Sequence, residues 1–114
     1  DEFINALAES DIEKGYASIR KASEQNIEMN VYLKMILAKL RYALMLRYAP
    51  TTKKSISDAI SAEDMAFIEE LVAKKPEHIS SGALVVLLES YQSLRTSVIS
   101  ELPLELALVK ILGI

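Results

Sequence analysis

The sequence predicts an all-α domain, a compact bundle of five or six helices around a buried central helix at about 31–48. Three observations carry this expectation. Apolar residues recur at three- and four-residue spacing in successive segments, most of them bounded by residues that suit a helix end. No segment alternates apolar and polar residues between hairpin turns, and no fixed-period repeat marks a solenoid. Leu, Ile, Val and Phe make up 36 of the 114 residues, well above the fifth or so of the chain below which disorder is expected. At this length the chain is one domain, over 1–114, with one core.

Taken in order, Glu2 to Glu9 form a short opening helix. Ser10-Asp11-Ile12-Glu13 fits a capping box, with the Ser10 hydroxyl accepting from the Glu13 N–H and the Glu13 carboxylate reaching back to the Ser10 N–H. A helix over about 11–25 follows, with Ile12, Tyr16 and Ile19 on one face. Asn26 stands where a left-handed residue ends a helix, a conformation that Asn tolerates. Asn30 suits the cap of the central helix. In that helix Lys34, Ala38, Arg41 and Met45 fall on one narrow stripe and most other positions are apolar.

Its apolar length does not make the central helix a membrane span. Lys39 and Arg41 cost about 2.5–3.5 kcal/mol each at mid-membrane, and its Leu, Ile and Val residues return only about 0.3–0.6 each. Pro50 biases Ala49 away from helix, and the polar run to Ser55 reads as a loop. Ser61-Ala62-Glu63-Asp64 starts a helix carrying Met65, Ile68, Leu71 and Val72, and Lys74-Lys75-Pro76 ends it. Ser80-Ser81 opens a helix to about Val98, with Leu84, Leu87, Leu88, Tyr91 and Leu94 in register. Pro103 suits a first helical turn, and the last helix runs from there to Leu112.

The net charge of −3 hides a pattern. Residues 1–28 carry −4, residues 29–54 carry +6 with no acid, and residues 55–114 carry −5. The bases Lys34, Lys39, Arg41, Arg47, Lys53 and Lys54 invite a nucleic-acid reading, helped by tyrosines at 16, 32, 42, 48 and 91. Pairing with the acidic flanks and packing of the tyrosines in the core are the favoured readings. An acidic pI near 5.2 has the wrong sign for a nucleic-acid module. A stand-alone helical nucleic-acid binder using residues 34–54 remains the alternative function.

Catalytic chemistry finds little to stand on. Cysteine is absent and His78 is the one histidine, which excludes a disulfide framework and leaves no thiolate or histidine metal site. Gly15, Gly82 and Gly113 are too far apart for a phosphate loop, so no nucleotide cofactor is expected in this domain. Glu63, Asp64, Glu69 and Glu70 lack the Glu-x-x-His partners of a di-metal site, and the first two suit a helix N-terminus. No enzyme, metal or small-molecule substrate is expected, and no catalytic residue is assigned. The first segment has no secretory pattern, which points to the cytoplasm. A start at Asp1 directly in helical pattern suggests a fragment of a longer protein. Two segments, 31–48 and 83–112, are apolar on more than one face. A domain of this size encloses only one such helix completely, so the surplus implies a partner.

Several segments together resemble one family. Asp11-Ile12-Glu13-Lys14-Gly15-Tyr16-Ala17 is similar to the Asp-led second helix in the third domain of the bacterial DNA polymerase III gamma/tau subunit. Asn26-Ile27-Glu28 with Tyr32 is similar to its Gly-x-Asp-x-x-x-Phe turn, with Asn for Gly and Glu for Asp. Leu40-Arg41-Tyr42-Ala43-Leu44 resembles its Leu-Arg-x-x-Leu segment. Leu102-Pro103-Leu104-Glu105-Leu106-Ala107-Leu108-Val109-Lys110 resembles its closing helix. The resemblance spans residues 3–112.

It implies a collar domain of the clamp loader, one of several helical domains that pack side by side and hold a pentamer together. Upstream AAA+ domains would bind ATP and Mg2+ and load the sliding clamp on primed DNA in replication. The implied partners are other gamma/tau copies, delta and delta-prime, with DNA contacted mainly by the parent complex and no membrane. On that reading, contacts concentrate on the last two helices, with Tyr91, Arg95, Leu102, Leu104, Glu105 and Leu108 as the partner-binding residues. Leu104→Asp is then expected to abolish assembly and leave the helical circular dichroism intact.

Overall fold

The apolar spacing becomes helix from the second residue of the chain. In a computed structural model, which describes residues 1–113, the chain is all-helical, with seven α-helices and one 3-10 turn among the described residues. They are α1 (Glu2–Glu9), α2 (Ile12–Glu24), α3 (Met29–Tyr48), α4 (Lys53–Ala59), α5 (Ala62–Ala73), α6 (Ser81–Ser93) and α7 (Leu102–Leu112).

Local chemistry sets the boundaries. Ser10 adopts the left-handed conformation (φ 55°) and ends α1, the Asp11 N–H donating to the Ala6 carbonyl at 2.9 Å. A residue in that conformation cannot also cap the next helix, so the capping box does not form. Asp11 is the cap instead, accepting from the Lys14 N–H at 3.1 Å. Asn26 takes φ 60° as expected. The central helix starts at Met29, which is buried, so Asn30 falls inside its first turn and does not cap it. Ser61 and Ser80 cap α5 and α6, accepting from the Asp64 N–H at 3.1 Å and the Ala83 N–H at 3.2 Å.

Two departures from the expected elements have physical causes. The stretch read as a loop after Tyr48 holds a 3-10 turn, Pro50–Thr52, and then α4. The Thr52 hydroxyl donates to the Ala49 carbonyl at 2.7 Å, and Ile56 is buried and anchors the short helix on the core. The helix expected to reach Val98 stops at Ser93. Beyond it Thr96 bonds back to the Ser93 carbonyl at 3.5 Å and Ser97 to that of Ile99, and such side-chain bonds compete with helix.

α3 is the centre of the bundle, packing on α1, α2, α4, α5 and α6. The core joins Phe3 and Leu7 of α1, Ile19 of α2, Leu33 and Leu40 of α3, Ile68 of α5, Leu87 of α6, and Leu104 and Leu108 of α7. α7 is held against α6 on one side and α2 on another. The α2 contact is close because Gly15 has no side chain: a Cβ there would stand 2.3 Å from Cδ2 of Leu108. At the far end of α3, Arg47 donates from Nη1 to the carbonyls of Pro76 and Ile79, both at 3.0 Å, and so ties the loop before α6 to the central helix.

Candidate contact surface on the last two helices

α7 is apolar around most of its circumference, and its neighbours divide that circumference into two sides. Pro103, Leu104, Ala107 and Leu108 face inward and are buried. Leu102, Glu105, Leu106 and Val109 share the outer side at helical spacing, with Leu106 the most open at 59% exposed. Val98 and Ile99, in the irregular segment before α7, are exposed as well, and so are Val85 and Leu88 on α6. Six of the ten exposed large apolar side chains among the described residues thus lie between Val85 and Leu106. That concentration is the main feature of the surface, because singly scattered apolar side chains would need no explanation.

The six residues expected at a contact surface do not all reach it. Arg95 is exposed and Leu102 is 38% exposed, while Glu105 is half-buried at the edge of the outer side. Tyr91 is half-buried against the core, with Lys34 Nζ 5.8 Å from its ring centre. Leu104 and Leu108 are both 0% exposed and belong to the core. This corrects the expectation for them: Gly15 opens the space that takes Leu108, and Leu104 is one turn away on the same side. Leu104→Asp would place a charge in that core and unfold the domain, so it does not probe assembly. Val85, Leu88, Val98, Ile99 and Leu106 were the missed residues. The i, i+4 pair Leu102/Leu106 beside Glu105 was the available signal for the last of them.

An open groove of about 430 Å³ runs between α6 and α7. Val86, Ser90 and Ser93 line one wall, and Leu102, Leu106 and Ala107 the other. Among the described residues its charges are Glu89 and Lys110, which face each other at 4.0 Å. Hydroxyls and one ion pair suit binding of a surface and provide no nucleophile–base arrangement. Among the described residues, no group of three or more His, Cys, Asp or Glu side chains is placed to hold a metal ion.

Half of the basic segment is engaged within the chain. Lys39 contacts the Asp1 carboxylate, lies 3.3 Å from Asp64 Oδ1, and sits over the Phe67 ring. Lys53 pairs with Glu69 at 3.2 Å and Arg47 serves the two loop carbonyls. Lys34, Arg41 and Lys54 have no ion pair among the described residues. Tyr32, Tyr42 and Tyr91 pack against the core, whereas Tyr16 and Tyr48 are exposed. Among the described residues, no helix is long and apolar enough to cross a membrane.

The surface described above is therefore apolar, flanked by charge and adjacent to a packed core. Comparison with known proteins finds no family, no curated protein and no solved structure that matches this chain.

Proposed function

We propose that this chain is a collar domain of a bacterial DNA polymerase III clamp loader, of the gamma/tau kind, which holds a ring of subunits together through its last two helices. The resemblance of its sequence segments supplies the family. The observation that carries the role is the concentration of exposed apolar side chains from Val85 to Leu106. Covering them removes apolar area from water, worth about 25 cal/mol per Å², and a stable contact buries about 800 Å² on each partner. Work of this kind needs no catalytic group, and the domain is not itself an enzyme. ATP and Mg2+ would be bound by AAA+ domains upstream in the same protein, in the cytoplasm, and DNA would be met mainly by the whole complex.

Light scattering coupled to size exclusion tests this. The chain is run alone over a concentration series, and then mixed with the C-terminal domains of delta and delta-prime. Assembly in either arm is the expected outcome. A strict monomer in both arms overturns the collar reading, and salt-dependent binding to primed DNA then decides for the nucleic-acid alternative.

A further inference from the structure

We propose that the outer stripe of α7 docks on the exposed stripe of α3 in a second copy of this chain, an inference that rests on the collar reading and names the partner of that surface. Two helix faces are left without cover, and their charges are opposite. On α3, Val31, Lys34, Met35, Ala38 and Arg41 are exposed and lie at i, i+3, i+4, i+7 and i+10. Val31 and Met35 are about half exposed, and no acid occurs anywhere from 29 to 54. Lys34 and Arg41 have no ion-pair partner among the described residues; each lies near a tyrosine ring instead, at 5.8 Å from Tyr91 and 5.5 Å from Tyr42. Lys39, on another side of α3, is already taken by Asp1 and Asp64 and plays no part.

On α7 the outer stripe is Leu102, Glu105, Leu106 and Val109, with Glu101 at its head. Glu101 and Glu105 likewise have no ion-pair partner among the described residues. Each face thus presents two or three apolar side chains and two unpaired charges, positive on one and negative on the other. The two stripes lie on different helices, each packed on α6, and are different surfaces of one molecule. A contact between different surfaces of identical chains is heterologous, and such a contact generates a ring when its rotation closes. The apolar residues supply the area, and the charges select the register and the partner face.

Charge reversal in the intact 114-residue chain separates this pairing from any other. One variant carries Lys34→Glu with Arg41→Glu, the other Glu101→Lys with Glu105→Lys. Glu101 makes no side-chain capping bond, and its replacement removes the exposed bond that its carboxylate accepts from the neighbouring Ser100 hydroxyl at 3.0 Å. Light scattering over a concentration series is the readout, with circular dichroism confirming that each variant folds. Each variant alone sets like charges face to face and is expected to weaken self-assembly at least about tenfold. Mixed in equal amounts, the two variants again offer opposite charges at each junction between unlike copies, and assembly in alternating order is expected to return. Should the wild type assemble and both variants match it, or should mixing restore nothing, the pairing of these stripes is overturned and the collar reading stands. A wild type that is monomeric alone yet joins the delta and delta-prime domains overturns the second copy as the partner. One that joins neither overturns both readings.

Discussion

The two sides of α7 are built from the same residue type and behave as opposites. Leu104 and Leu108 are sealed in the core, whereas Leu102 and Leu106, each two positions from its inner counterpart, face outward. The difference does not lie in the leucines. It lies in what packs against them: α2 presents a glycine to Leu108, whereas Leu102 and Leu106 line an open groove beside α6. A leucine-rich helix therefore reports only that apolar surface exists, and the neighbouring element decides whether that surface holds the fold or remains for a partner.

The largest expected effect breaks the inner side. Leu108→Ala deletes a fully buried side chain at the α2–α7 contact and is expected to cost about 2–5 kcal/mol, read from urea unfolding followed by circular dichroism. A cost under about 1 kcal/mol would mean that the contact is looser than the geometry requires.

Arg47→Met supplies a control at the end of α3. It strips two hydrogen bonds from the partly buried carbonyls of Pro76 and Ile79, and is expected to cost about 1–3 kcal/mol while leaving assembly unchanged. If assembly fell in parallel, loss of stability alone would account for it, and the distinction between the two sides of α7 would weaken.

Gly15→Ala sharpens the same contact from the other helix. Alanine favours a helix interior by about 1 kcal/mol over glycine, but its Cβ must displace the end of Leu108 at a cost of about 1–3 kcal/mol. A net loss of up to about 2 kcal/mol is expected. Combined with Leu108→Ala the substitution should become neutral or stabilising, since the atoms it displaces are gone. Simple additivity in that double mutant would contradict the direct Gly15–Leu108 contact.

The smallest effect lies at the edge of the core beside α2. Burial holds the Tyr32 phenol above its ordinary value of 10.0, with the Ser18 hydroxyl acting the other way. The native state therefore binds this proton more tightly than the unfolded chain does. That contribution is complete below about pH 10 and is lost as pH rises toward the native value. Stability measured by denaturant titration should decline above about pH 10, and Tyr32→Phe should remove part of the decline. An identical decline in the variant would assign it to other groups.

Much of the fold was legible because short polar signals name helix ends. Ser61, Ser80, Asn26 and Pro103 all act as their chemistry suggests. Ser10 and Asp11 are both good caps, and the choice between them was made by the need to end α1, which the sequence pattern does not rank. α4 escaped notice because one apolar residue, Ile56, is too little periodicity to mark a helix. The candidate surface was legible only in outline. Leucines stand at 102, 104, 106, 108 and 112, on nearly every side of α7, so spacing alone could not say which face is inward. The inward face was set by Gly15, some ninety residues earlier, and a contact so distant in sequence leaves no local trace.

The claim that α7 has one side for the fold and one for a partner is tested most directly by Leu106→Asp, followed by light scattering and urea unfolding on the same samples. The expected result is loss of assembly with unfolding stability within about 0.5 kcal/mol of the wild type, as for an exposed substitution. Unchanged assembly, or a loss of stability as large as that of Leu108→Ala, would contradict it.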